Sequence, residues 1–170
     1  MYSLIAKNAR RPRGALIVAG LLCASGACSR SHTVTTADGK VSYQEKGKDA
    51  RTVTVTGKDG QTATLNFNQN KVPDDYPKDV PIYSPAKVVM SQSISEKNAR
   101  TLMLESTDAA DKVVDFYKKG LDGNGWKTES TMTTAQLTIL TATKDRKQVL
   151  LQISDNGAKR SVMQVVSDKR

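Results

Sequence analysis

The sequence predicts an α+β chain: one amphipathic helix packed on an antiparallel sheet, preceded by a small β-hairpin appendage. Three observations carry this. In "STDAADKVVDFYKKGLDGNGW", Ala110, Val113, Val114, Tyr117 and Leu121 recur at helical spacing, with Lys112, Asp115, Lys118 and Lys119 opposite. The segments on either side alternate with a period of two, as half-buried strands do. Turn chemistry at "EKNA", "KDR" and "DNGAK" separates those segments from one another.

Taken in order, the chain opens with Lys7, Arg10, Arg11 and Arg13 and no acidic residue, followed by an uncharged apolar run from Gly14 through Ala15, Leu16, Ile17, Val18, Leu21 and Leu22. This is the positive, apolar, small-residue order of an export signal. Arg13 and Arg30 bracket the run, which falls short of the roughly 20 apolar residues that cross a bilayer as a helix. Both cysteines lie at its end, in "LLCASGACSR". Ala24, Ser25, Gly26 and Ala27 before Cys28 resemble the lipobox of bacterial lipoproteins, with Ser25 where Leu is commoner; Cys23 follows bulky Leu21 and Leu22. The resemblance implies cleavage before Cys28 and acylation of that cysteine. It also implies, through Ser29 rather than Asp at the next position, release to the outer membrane. Residues 1–27 are then a lipoprotein signal peptide, and 28–36, rich in Ser and Thr, a tether.

Residues 37–70 read as a small β-hairpin region. In "RTVTVTGKDGQTATLNF", Val53 and Val55 alternate with Thr52, Thr54 and Thr56, and Ala63, Leu65 and Phe67 resume the pattern after "GKDG". "KVSYQEK" adds a third strand with Val41 and Tyr43 in phase. Prolines at 73, 77, 81 and 85 make 71–86 an extended connection, since each removes a backbone donor and fixes φ. Tyr76 and Tyr83, beside those prolines, read as exposed and mark a contact surface for a partner.

Residues 87–170 form the main domain. "KVVMSQSIS" and "RTLMLES" read as a hairpin, with Val88, Met90, Ile94, Leu102 and Leu104 at strand spacing. The helix follows, with Ser106 or Thr107 as its cap and Gly120, Gly123 or Gly125 as its stop. Further strands are expected at "WKTEST", "QLTILTAT", "KQVLLQIS" and "SVMQVVS". "DYPKDVPIYSPAKV" and "VVDFYKKGLDGNGW" together resemble a small domain of bacterial lipoproteins and exported proteins, over about residues 75 to 167. Its layout is similar to helix-grip domains, in which one helix lies across a curved sheet and the module mediates protein contacts.

Chemistry is sparse. The single histidine, His32, falls in the tether, and without another histidine or a mature thiol beyond Cys28 neither a nucleophilic triad nor a typical zinc site can be assembled. Asp74, Asp75 and Asp79 cluster in the connection but lack calcium-loop spacing. Asp108, Asp111 and Asp115 share one helix, which leaves a carboxylate-dependent hydrolase as the least favoured reading. Phe116, Tyr117 and Trp126 are core candidates. The chain carries 26 Lys and Arg against 17 Asp and Glu; the first 27 residues take four of the bases, and the rest are interspersed with acids. That balance does not point to nucleic acid. The expectation is a non-catalytic, lipid-anchored envelope protein that faces the periplasm, uses no cofactor or metal, and contacts another envelope protein. The alternative is a carrier of a lipid or small hydrophobic ligand between helix and sheet.

Overall fold

Thr, Val and Ile dominate the alternating segments, and their branched side chains suit a pleated surface. In the computed structural model, which describes residues 29–46 and 49–169, the elements run β1 (Ser29–Thr36), β2 (Gly39–Lys46), β3 (Ala50–Gly57), β4 (Thr62–Phe67), β5 (Lys87–Ile94), β6 (Ala99–Ser106), α1 (Ala110–Gly123), β7 (Lys127–Thr133), β8 (Leu137–Lys144), β9 (Lys147–Asp155) and β10 (Arg160–Asp168). All ten strands join one antiparallel sheet in the order β1-β2-β3-β4-β5-β6-β10-β9-β8-β7. The helix carries the chain from β6 across the sheet to the far edge, where β7 starts. Successive hairpins then bring it back until β10 pairs with β6.

This corrects the expected class. The protein is mostly β, one ten-stranded antiparallel sheet with a single 14-residue helix, and not an α+β helix-grip arrangement with an appendage. The reason is continuity: Ala63, Leu65 and Phe67 of β4 register with Ile94, Gln92 and Met90 of β5, so residues 37–70 extend the main sheet. The segment read as a tether is strand β1 from Ser29 onward, paired with β2 along its whole length. Its alternating Thr and Val already carried strand character.

One side of the sheet, here called the front, holds the core. Leu102 and Leu104 of β6, Val162 and Val166 of β10, Val149, Leu151 and Ile153 of β9, and Leu140 and Ala142 of β8 are buried there beneath α1. The helix contributes Val113, Tyr117 and Leu121, one residue per turn at i, i+4 and i+8, while the expected Ala110 and Val114 are only half-buried. Its start lacks the side-chain cap expected from Ser106 or Thr107: Ala109 occupies that position, and Ser106 Oγ instead accepts from the Asp108 amide at 3.1 Å. Its end is well made. Gly125, at φ +78, lets Trp126 N–H reach Leu121 O at 2.9 Å and Gly125 N–H reach Asp122 O at 2.9 Å, while Trp126 and Leu121 both enter the core.

Residues 71–86 are more than a connection. They lie on the front side and fasten α1 at three places. Near its C-terminus, Asp79 O accepts from Trp126 Nε1 at 2.9 Å and Asn124 Nδ2 at 3.0 Å. In its last turn, Pro81 packs so closely on Gly120 that a Cβ there would sit 2.9 Å from Pro81 Cβ. Ahead of its first turn, the Tyr83 hydroxyl donates to Asp108, which also accepts from Lys112 at 3.1 Å.

Candidate functional site

Two places concentrate what this sheet offers. The first is a buried polar cluster on the front. Gln164 of β10 is fully buried; its Oε1 accepts from Tyr76 Oη at 2.7 Å, and its Nε2 donates to Tyr117 Oη at 2.6 Å. Tyr117 Oη also accepts from the Tyr83 amide at 3.4 Å. Burial pushes the Tyr117 phenol up to about 12 and drives Tyr76 further above its ordinary range, with the neighbouring Tyr117 adding to the effect on Tyr76. Both stay protonated at neutral pH, and their hydroxyls serve as hydrogen-bonding groups that lock the connection and helix onto β10. At the other cluster, burial first and the Asp108 carboxylate second raise the Tyr83 phenol, while the hydrogen bond from Tyr83 and then Lys112 hold Asp108 below its usual value.

The expected exposure of Tyr76 and Tyr83 is therefore overturned: they are 6% and 3% exposed, core residues of the connection. The prolines around them turn the chain inward, with Tyr76 N–H bonded to Pro73 O at 3.0 Å and Val80 N–H to Pro77 O at 3.3 Å. A contact surface made of these two side chains is not available. Asp74, Asp75 and Asp79 do not converge. They pair separately with Lys71, Arg100 and Lys144, and among the described residues no group of three His, Cys, Asp or Glu is placed to hold a metal. His32 lies on β1 opposite Tyr43. Cys28 and residues 1–27, read above as a signal peptide, lie outside the described residues; among the described residues no helix is long and apolar enough to cross a membrane.

The second place is the back of the sheet, which the sequence reading did not single out. Across registered strands runs the row Met132, Ile139, Gln152, Met163, Met103, Met90, Phe67. Every methionine after Met1 is on it. Leu150 and Val165 flank the row on β9 and β10, and Leu65 and Val53 on β4 and β3. A second row runs Val34, Val41, Val55, Ala63, Ile94. None of these residues is buried, and none packs against the core. The large hydrophobics that stand out as exposed among the described residues, Val34 at 56%, Met132 at 54%, Val55 at 42% and Val41 at 39%, all belong to this one face. On β1 to β4 the polarity is reversed relative to the core strands: their front side is a field of hydroxyls and amides, with Thr52 bonded to Asn66 at 2.9 Å and Asn66 to Ser91 at 3.2 Å.

A register shift between Val88 and Met90 explains why this face was hidden in the sequence. A bulge there puts Val88 on the core side and Met90 on the back, although they are two residues apart. Read at strict period two, Val88, Met90, Leu102 and Leu104 look like one surface; in the structure Met90 faces away from the other three. The available signal was the placement of Met103 and Met163, each between two buried neighbours in its strand.

The two clefts of note both involve the connection. One, of about 170 Å³, is lined by Asp75, Arg100, Lys147 and Asp168 among others; the other, of about 470 Å³, is an open groove along Val72, Tyr76, Val80 and Ile82. Neither lies between helix and sheet, where Tyr117, Leu121 and Trp126 fill the space.

A family model described as START domain-like matches residues 87–161. The match runs from β5 into the start of β10, takes in α1, and marks a small domain within the longer sheet. No curated protein and no solved structure matches the chain.

Proposed function

We propose that this chain is a non-catalytic binding module of the cell envelope, whose working surface is the apolar back of the sheet. One observation carries the reading: a methionine-lined apolar face runs across the whole sheet with no described element over it. Soluble monomers rarely leave contiguous apolar patches beyond a few hundred Å² in water, and larger ones mark contacts. Methionine suits such a surface because its flexible thioether adapts to partners of irregular shape. The polar groups of the front, by contrast, are largely paired with one another, Tyr76 with Gln164, Tyr83 with Asp108 and Asp75 with Arg100.

In the same reading, acyl chains on Cys28 hold the protein to the outer membrane, facing the periplasm. The support is the order of the first 27 residues, the small residues before Cys28, and Ser29 after it. With Cys28 immediately ahead of β1, the sheet is held close to the membrane, where an envelope protein is the natural partner. Two measurements test this. Intact mass of the membrane-extracted protein should show an acylated N-terminus at Cys28, lost with membrane association in Cys28→Ser. Material isolated with the full chain from detergent-solubilised membranes should be lost in a Met103→Glu, Met163→Glu double variant. Recovery of the same partners by both forms would rule out the back face.

A second reading, a carrier of a lipid or small hydrophobic ligand, draws on the START domain-like match over residues 87–161. Since side chains fill the space beneath α1, the ligand's place is the back face or the groove beside Val72 and Ile82. Mass spectrometry of the protein purified under native conditions decides it: a retained lipid favours the carrier, an empty chain the contact module.

A further inference from the structure

We infer that the partner on the back face is a second copy of this chain, the two sheets stacked back to back about a twofold axis near Met90 and Met103. The inference rests on the reading of that face as the binding surface and adds what occupies it. Size is the first reason. The back from Phe67 on β4 to Ile139 on β8, where the apolar rows are interleaved with Gln92, Thr101, Gln152 and Ser161, crosses six strands, about 24 Å at the usual strand spacing. Eight-residue strands run about 27 Å, so the flat footprint is roughly 650 Å² and the corrugated surface larger. A stable interface takes roughly 800 Å² from each partner. A single added strand or a small ligand leaves most of such a face in water.

Shape and position agree. The natural complement of a twisted sheet is another of the same twist, packed about 10 Å away at roughly 30° with side chains interdigitated. Met90 and Met103 pair across β5 and β6, the fifth and sixth of ten strands, so the centre of the face carries its most adaptable side chains. A twofold axis there sets each copy's central methionines against the other's, as an isologous interface requires. Charge points the same way. The margins carry both signs, Lys87 opposite Glu105 and Arg51 opposite Glu45. That suits a self-complementary rim, whereas an anionic bilayer would repel half of it.

The test is sedimentation equilibrium of the full chain in density-matched detergent, for the wild type, Met103→Glu, and Thr54→Glu on the front of β3. The expected wild-type mass is two chains. Met103→Glu, which buries an unpaired charge at the axis, should weaken the dimer by about a hundredfold or more, and Thr54→Glu should not. If Met103→Glu loses its folded spectrum, Met163→Glu on the neighbouring strand makes the same test. A wild-type mass of one chain overturns the second copy, and binding of N-phenylnaphthylamine by the Cys28→Ser chain in detergent-free buffer, with and without Met103→Glu, then separates the outcomes. Dye taken up by that single chain and lost in the variant preserves the apolar binding surface with another occupant; no dye uptake sinks both. A single Cys28→Ser chain that sediments with phosphatidylglycerol vesicles, while the same chain carrying Met103→Glu does not, gives the face to a bilayer instead.

Discussion

Replacing Gln164 with leucine tests how the connection and helix are held to the sheet. Gln164 is fully buried and bridges Tyr76 and Tyr117 through bonds of 2.7 and 2.6 Å. Leucine has similar bulk but no polar atoms, so the variant keeps packing and removes both bonds, together with the longer one from Nε2 to Pro81 O at 3.4 Å. Each is worth about 1 kcal/mol net, and the Tyr76 hydroxyl, left as a buried donor without acceptor, adds about 1–3 kcal/mol. Better burial of the leucine offsets part of this. The expected loss is therefore about 2–4 kcal/mol, a large share of the roughly 5–15 kcal/mol by which domains are stable. Urea unfolding followed through Trp126, the only tryptophan and a buried member of the same layer, measures it. Adding Tyr76→Phe removes the orphaned donor, so the double variant should be less destabilised than the sum of the singles, by about 1–2 kcal/mol. A loss under about 0.5 kcal/mol for Gln164→Leu, or strict additivity, would refute the view that this cluster anchors the connection.

Two further outcomes follow from the same region. Gly120→Ala should destabilise by about 1–3 kcal/mol, because the new methyl meets Pro81 at 2.9 Å and overpacking outweighs the roughly 1 kcal/mol gained in helix propensity; thermal melting with a stabilised product would contradict the contact. The raised Tyr117 phenol gives a pH test whose sign is fixed. Its folded value of about 12 exceeds the unfolded 10.0, so its contribution is complete below pH 10 and declines by roughly 1.4 kcal/mol per pH unit between 10 and 12. Tyr117→Phe, which removes the acceptor of Gln164 Nε2 and the Tyr83 amide and so is weaker at pH 8 by about 1–3 kcal/mol, should see that gap shrink by about 1.4 kcal/mol at pH 11 in urea titrations; an undiminished gap would contradict it.

Much of the fold was legible because its period was clean. The helix, its glycine-rich stop, and the strands from residue 87 onward follow from alternation and turn residues alone. What escaped notice depended on long-range pairing. β1 to β4 carry a polar front and a thinly apolar back, so by themselves they look like a marginal appendage; registration of β4 with β5 makes them four of the ten strands of one sheet. Tyr76 and Tyr83 looked exposed because prolines usually mark surface segments. Their burial depends on Gln164, 88 residues away from Tyr76, and on Asp108, 25 residues from Tyr83. The methionine row was dispersed over seven strands and masked by the bulge beside Val89, so no local window contained it.

The most direct test of the back face is site-specific photo-crosslinking in intact cells. A benzophenone amino acid would replace Met103 at the centre of that face or Thr54 on the front of the same sheet, in the full chain. If the back face is the contact surface, irradiation yields a discrete adduct from position 103 and little or none from position 54, and its mass equals two chains when the partner is a second copy. Adducts of equal yield from both positions, or none from position 103, would contradict the assignment of this face as the working surface of the protein.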